Sequence, residues 1–100
     1  MIYITQLIYL NEGQEAAFEE FESVAIPTIA KYNGRLLVRA RTPREAIIAP
    51  STEQPYEVHV VEFPSEQDFE NFKLDEDRKR VLHLKEKAIR LSVMYKGEKL

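Results

Sequence analysis

The opening segment, IYITQLIYL from Ile2 to Leu10, constrains the fold most. It is rich in β-branched and aromatic residues, so it predicts a β-strand. Successive side chains of a strand point to opposite faces, and here both faces are largely apolar. One face carries Ile2, Ile4, Ile8 and Leu10, and the other carries Tyr3, Leu7 and Tyr9. A sheet that contains such a strand needs a covering layer on each side.

A helix follows this strand. Apolar residues at spacings of three and four predict its buried stripe, which consists of Phe18, Phe21, Ala25 and Ile29. The predicted solvent face consists of Glu15, Glu19, Glu20 and Glu22. Pro27 lacks a backbone donor, so we expect it to bend the helix or to end its regular part near Ala25. We expect Gly34 to supply the left-handed residue that commonly follows a helix.

The rest of the chain continues the alternation of strands and helices. Strands are predicted at Arg35 to Arg41, at Tyr56 to Phe63 and at Leu91 to Tyr95, with a short extended arm at residues 46–50. A second helix begins after the capping Ser65 and is broken at Asp75, which starts a new cap. In the third main strand Tyr56, Val58 and Val60 share a face, opposite Glu57, His59, Val61 and Phe63.

This order of elements predicts one α+β domain over residues 1–100, with residues 96–100 as a tail that frays. It is the split βαβ pattern of a ferredoxin-like fold, a four-stranded antiparallel sheet with two helices on one face. The uncovered face would then carry Tyr3, Leu7, Tyr9, Val61 and Phe63. Burying roughly 600 Å² of it would contribute about 15 kcal/mol per subunit, so we expect a homodimer whose sheets pack face to face.

Four stretches resemble the dimeric α+β barrel superfamily, and most closely its short bacterial branch of unknown function. They are YITQLIYLNEGQEAAFEEF, YNGRLLVRA, VVEFPSEQDFENF and LDEDRKRVLHLKEKAI, and the resemblance extends to about Tyr95. It implies the dimeric barrel fold. Relatives include antibiotic-biosynthesis-type, quinone-forming monooxygenases that use no cofactor, muconolactone isomerases, haem-degrading enzymes and stress-responsive proteins, so the fold implies no single chemistry.

This chain departs from that branch in one respect. The branch commonly ends its short arm with a Glu-Gly pair, whereas this chain has Ala49 and Pro50. No role of that glutamate is therefore carried over, and Glu45 is not its equivalent by position.

Composition excludes several classes of function. The chain has a net charge of −3, which argues against sequence-independent binding of nucleic acid, because such binding depends on clustered Lys and Arg. It has no cysteine and only two histidines, so we expect no disulfide, no metal site and no cofactor. Its apolar runs are too short and interrupted for a signal peptide or a spanning helix, so we expect a cytoplasmic protein without a membrane partner.

Five residues are candidates for a functional site. His59 is the only histidine in a strand and could act as a general base, although a hydrogen-bonded structural histidine remains the alternative. Tyr3, Thr5 and Tyr9 place hydroxyl groups on an apolar wall, where they could orient a ligand or pack at an interface. Arg39 could bind a ligand carboxylate through paired donors, or form salt bridges between strands.

Three functions remain open at the level of the sequence. The first is a homodimer that binds a small, partly apolar organic molecule between sheet and helices. The second is a cofactor-independent monooxygenase or isomerase in which His59 accepts a proton and an Arg or Tyr steadies the resulting anion. The third is a structural or interaction subunit whose cavity is filled by its own side chains.

Overall fold

The computed structural model describes residues 1–43, 48 and 53–100. Their elements are the strands β1 (Ile2–Leu10), β2 (Arg35–Arg41), β3 (Glu57–Phe63) and β4 (Ile89–Gly97) and the helices α1 (Glu15–Lys31), α2 (Glu66–Lys73), α3 (Glu76–Arg80) and α4 (Leu82–Ala88). The strands form one antiparallel sheet in the order β2-β3-β1-β4. This is the predicted ferredoxin-like α+β fold. The predicted arm at residues 46–50 lies outside the described residues except for Ile48, which is exposed.

The helices cover one face of the sheet. Ile4 of β1 packs with Ile29 of α1 and Phe63 of β3, and Phe69 and Phe72 of α2 close over them. At the other end of β1, Ile8 packs with Phe18 of α1 and Ala88 of α4. The even-numbered residues of β1 therefore face the helices, and its odd-numbered residues face away.

This arrangement corrects the predicted faces of β3. The sequence placed Val61 and Phe63 on the uncovered face, together with Tyr3 and Leu7. In the antiparallel register Ile4 lies opposite Val61, so both point toward the helices, and Phe63 is only 1% exposed. The pairing of β1 with β3 decides the face, and alternation within a single strand does not contain that information.

The second helical region is divided by a cap, as predicted. Ser65 accepts a hydrogen bond from the backbone N–H of Asp68 at the start of α2, and Asp75 accepts one from Arg78 at the start of α3. Asp75 is buried and also receives bonds of 2.7 Å from Lys31 Nζ and the Tyr32 hydroxyl. These bonds, that from Lys31 first, hold the pKa of Asp75 well below its usual range. The break in the helix is therefore tied to the end of α1.

The structure corrects two expectations about the end of α1. The helix does not end near Ala25 but continues through Pro27 to Lys31. Pro27 lies on the exposed side, where water can bond to the carbonyl that loses its donor. The left-handed residue after the helix is Asn33, with φ of 65°, and not Gly34. Gly34 instead permits close packing, because a Cβ there would lie 2.6 Å from the Phe63 ring.

The face turned away from the helices is apolar and exposed. Its central row consists of paired residues from four strands, namely Leu7, Val58, Ala40 and Val93. Val38, Leu91 and Tyr95 extend it and are 45%, 43% and 61% exposed. We call this surface the open face. Among the described residues no helix is long and apolar enough to cross a membrane.

Candidate functional site

A cavity of about 100 Å³ lies between the sheet and the helices. Its apolar wall is formed by Ile4, Ala25, Ile29, Val61 and four phenyl rings, those of Phe21, Phe63, Phe69 and Phe72. Polar and charged side chains complete the lining: Gln6, Glu22, His59, Lys73, Arg78 and Lys85. The strands β1, β3 and β4 form its floor, and the helices form its roof.

His59 is placed in this lining by β3 and is paired with a carboxylate. It is 4% exposed, and its Nε2 lies 2.5 Å from Oε2 of Glu57, two residues earlier on the same face of the strand. Glu57 is 1% exposed. A buried imidazole is thus fixed in orientation by a buried carboxylate, an arrangement that enzymes use to position a base.

Two arginines of β2 hold the other side of Glu57. Arg39 Nε donates to Oε2 and Arg41 Nη2 donates to Oε1, each at 2.8 Å. Both guanidinium groups also contact Glu19 of α1. Burial acts to raise the pKa of Glu57, but the hydrogen bonds from Arg39, His59 and Arg41 together lower it below its usual value.

This pairing determines which nitrogen of His59 is free. Because Glu57 is held as a carboxylate, it can only accept, so the His59 Nε2 must carry a proton and donate it to Glu57. In the neutral ring the lone pair then resides on Nδ1. Nδ1 is therefore the atom that could accept a proton or a hydrogen bond from a molecule in the cavity.

Glu22 is the second buried acid of the cavity. Sequence periodicity placed it on the solvent face of α1, but it is only 7% exposed and lines the cavity. Burial, assisted by the negative charge of Glu57, raises the pKa of Glu22 to about 7. Glu22 can therefore change its charge near neutral pH.

Arg78 and Lys85 bring positive charge to the same cavity. The Nε atom of Arg78 is buried and has no hydrogen-bond partner among the described residues. Its guanidinium lies between two rings, 5.1 Å from the centroid of Phe72 and 5.8 Å from that of Phe21. Burial lowers the pKa of both Arg78 and Lys85. Neither forms an ion pair with a residue in the described ranges, so the cavity contains two cations without a carboxylate of their own.

The structure brings together only part of the predicted site. His59 lines the cavity. Arg39 does not line it but bonds Glu57, the partner of His59. Tyr3 and Thr5 lie on the opposite face of the sheet, so they do not line this cavity. Tyr9, also at an odd-numbered position of β1, does not line the cavity either, and its hydroxyl donates to the backbone oxygen of Glu53 at 3.3 Å. Ligand-binding roles for these three hydroxyls stay predictions.

The sequence contained signals for two residues that its interpretation missed. Glu57 has the same parity as His59, two residues away, which is the spacing of neighbours on one face of a strand. Glu22 lies four residues after Phe18 and three before Ala25, so it falls within the apolar stripe of α1. Arg78 and Lys85 gave no such signal, because the break between helices sets their direction.

No three acidic, histidine or cysteine side chains in the described part of the chain are grouped so that they could hold a metal ion.

Comparison with protein families gives one assignment. The sequence model of DUF1330, a domain of unknown function, matches residues 6–95. No curated protein matches the chain in sequence.

Solved structures with the same fold include three from bacteria. A protein of unknown function from Rhodopseudomonas palustris has a TM-score of 0.83 and 17% identity over 99% of this chain and 82% of its own. A NIPSNAP domain protein from Burkholderia xenovorans has a TM-score of 0.74 and 10% identity over 100% and 95%. A DABB family protein with a ferredoxin-like fold from Mesorhizobium loti has a TM-score of 0.69 and 13% identity over 99% and 96%. At these identities the likeness concerns the fold alone, which is ferredoxin-like in the Mesorhizobium loti protein as it is here.

Proposed function

This chain belongs to the DUF1330 family, and from that premise we propose that it is a homodimer that binds a small, partly apolar organic ligand between its sheet and helices. The observation that carries the proposal is the cavity of about 100 Å³, which combines four phenyl rings with His59, Glu22 and Arg78. Apolar walls with a few convergent polar groups are the usual composition of a small-molecule site.

The lining also argues against a purely structural subunit. A cavity that serves packing alone is filled by apolar side chains, because voids and unpaired polar groups both destabilise a protein. Here the chain leaves the space open and lines it with Arg78, whose Nε is buried without a hydrogen-bond partner among the described residues. Such an arrangement is expected where a ligand supplies the missing contacts.

A matched pair of substitutions on α1 tests the cavity. Ala25 is buried and lines it, whereas Ala30 is exposed on the same helix. Small acids, amides and phenols would be titrated into the protein and followed by chemical-shift changes in its NMR spectrum. We expect Ala25→Leu to reduce binding at least tenfold because it fills the space, and Ala30→Leu to leave it unchanged. Binding that survives Ala25→Leu would place the ligand elsewhere.

The proposed dimer is supported by the open face. Contiguous apolar patches of this extent are uncommon on soluble monomers and commonly mark an interface. In this arrangement the open faces of two subunits pack together, and the helices of each subunit lie outside. Each subunit then retains its own cavity on the helix side of its sheet.

Light scattering at micromolar concentration measures this association directly. We expect Leu7→Glu, at the centre of the open face, to shift the protein to monomers, because it would bury a charge between the sheets. Leu74→Glu is the control, since Leu74 is 59% exposed at the end of α2, away from the open face. A wild-type monomer would refute the dimer but not the cavity.

A second candidate function is favoured by the pair of His59 and Glu57. With Nε2 donating to Glu57, the free Nδ1 could take a proton from a phenol or a carbon acid in the cavity, as a cofactor-independent monooxygenase or an isomerase requires. Arg78 could stabilise the anion that forms.

Two assays test this chemistry. Oxygen uptake would be measured with hydroxylated aromatic compounds, and exchange of substrate C–H hydrogen in D₂O would be measured with carbon acids. We expect His59→Gln to slow an activity that depends on this base by about 10²-fold or more. Equal rates in both proteins would exclude His59 as the base.

A further inference from the structure

We propose that the ligand of this cavity is a small organic carboxylate, whose oxygens bind the Nε and Nη2 groups of Arg78 while its apolar body packs against the phenyl rings. This inference rests on the proposed function and specifies its ligand class. It is carried by the state of Arg78 and by the balance of charges around it.

One edge of the Arg78 guanidinium has no hydrogen-bond partner among the described residues. Nη1 donates to the backbone oxygen of Lys73 at 3.2 Å, which fixes the group in place. Nε is buried without a partner, and Nη2 makes no hydrogen bond to any residue of the described ranges. The N–H groups of Nε and Nη2 point in nearly parallel directions, and this fork matches the two oxygens of a carboxylate.

Stacking holds this fork in position. The guanidinium lies over the rings of Phe72 and Phe21, on α2 and α1. Arg is suited to such contacts because its planar group can stack and donate in its plane at once. The same rings form part of the wall beyond the fork, so a carboxylate bound there would carry its apolar body into the cavity.

The charge balance also favours an anion. Arg78 and Lys85 have no ion-pair partner in the part of the chain that is described, and burial lowers the pKa of both. The acid with the strongest charge interaction with Arg78 is Glu22. Burial raises the pKa of Glu22 to about 7, so in many of the protein molecules Glu22 is neutral near neutral pH. The Glu57 carboxylate is already matched by Arg39 and Arg41. An incoming carboxylate would therefore neutralise charge in the cavity.

Comparison of acids with their own amides isolates this contribution. Benzoate and benzamide, and isobutyrate and isobutyramide, have the same shape but differ in charge. At pH 6 we expect each carboxylate to bind the wild-type protein about tenfold or more tightly than its amide, as charge-assisted bonds to a partly buried guanidinium require. NMR titration measures both dissociation constants.

A matched pair of substitutions on α3 assigns the effect to Arg78. Arg78→Gln should weaken carboxylate binding about tenfold and leave amide binding within about twofold. Arg80→Gln is the control, because Arg80 is exposed on the same helix and bonds Asp77. Carboxylate binding that is unchanged by Arg78→Gln would overturn the role of this residue.

The pH dependence gives a readout that needs no folded Arg78 variant. Glu22 gains its negative charge as pH rises through about 7, so carboxylate affinity should fall between pH 6 and pH 8 while amide affinity stays constant. Glu22→Gln should remove the fall in carboxylate affinity between pH 6 and pH 8. The titratable and charged groups that interact with Glu22 or share its cavity are Glu19, Arg39, Glu57, His59, Lys73, Arg78 and Lys85.

The outcomes separate this inference from the proposed function. If acids and amides bind the wild-type cavity equally well, the cavity function stands and the carboxylate inference is wrong. If neither class binds, both are wrong. A carboxylate preference that declines from pH 6 to pH 8 supports the inference, even if Arg78→Gln fails to fold.

Discussion

The two faces of the sheet differ in a way opposite to the usual partition between core and surface. The face under the helices contains charged groups, including Glu57 and His59, which are 1% and 4% exposed. The open face is apolar, and its residues Val38 and Tyr95 are 45% and 61% exposed. The comparison teaches that the two sides of one chain are incomplete in different ways: the covered side pairs Glu57 internally but leaves Arg78 and Lys85 without ion-pair partners among the described residues, and the open side lacks a cover.

The buried charges are tolerated because they are connected. An isolated charge in a protein interior costs several kcal/mol, whereas Glu57 is matched by two guanidinium groups and an imidazole. The open face needs no such network, because burying its apolar side chains against a similar surface desolvates few polar groups. Substitutions on each side should therefore differ in both kind and size.

The largest effect is expected at Glu57. Glu57→Gln keeps the volume but removes the charge that Arg39, Arg41 and His59 share, so we expect the free energy of unfolding to fall by about 3 kcal/mol. Urea denaturation measures this value. Glu66→Gln is the control, because Glu66 and its partner Lys96 are both largely exposed, and it should cost less than about 1 kcal/mol. Equal losses would mean that the buried network contributes no more than a surface pair.

The second effect is a dependence of stability on pH. The pKa of Glu22 is about 7 in the folded chain, against an unfolded value of 4.5, so the folded state holds more protons between these values. The free energy of unfolding should therefore fall as pH rises from about 4.5 to 7, by about 3 kcal/mol for this group.

Urea denaturation from pH 4.5 to pH 8 tests this slope. Glu22→Gln should be close to the wild type at the acid end and more stable at pH 8. Glu20→Gln serves as the control, because Glu20 is exposed on the same helix. If the free energy of unfolding of Glu22→Gln depends on pH as strongly as that of the wild type, another group causes the dependence.

A smaller effect is expected where α1 meets the sheet. A methyl group at Gly34 would lie 2.6 to 2.8 Å from Phe63 and Ile29 on the covered side, so we expect Gly34→Ala to cost about 2 kcal/mol. Nothing lies within 4 Å of the corresponding position at Gly97, so Gly97→Ala should be almost neutral. Thermal unfolding of the two variants gives the difference, and similar melting temperatures would show that the helix can shift to make room.

The fold could be predicted from the sequence because its signals are local. β-Branched and aromatic residues predicted β1, and side-chain caps at Ser65 and Asp75 located the start of α2 and the break before α3. The end of α1 was misjudged, since whether Pro27 stops a helix depends on which side of it faces solvent. The arm and its Ala49-Pro50 lie outside the described residues.

The site could be predicted only in part because it is assembled from distant segments. His59 was identified, since a lone histidine in a strand is visible in the sequence. The residues around His59 were not identified, because strand pairing decides which face of the sheet they share. A bulge in β2 between Leu36 and Val38 also moves Arg35 to the side opposite Arg39. The position of Arg78 over the cavity depends on how α3 is docked, which no spacing encodes.

The smallest effect tests the comparison at two adjacent residues of β1. Thr5 lies on the open face, whereas Gln6 lines the cavity and donates to Ser92 Oγ at 2.8 Å. Thr5→Val should change affinity for a cavity ligand by less than about twofold and stability by less than about 0.5 kcal/mol. Gln6→Met should cost about 1 kcal/mol and alter ligand affinity, because it removes a partly buried hydrogen bond beside the cavity. NMR titration and urea denaturation of both variants decide the matter. If Thr5→Val weakened binding and Gln6→Met did not, the ligand would lie against the open face, where the sequence had placed Tyr3 and Thr5.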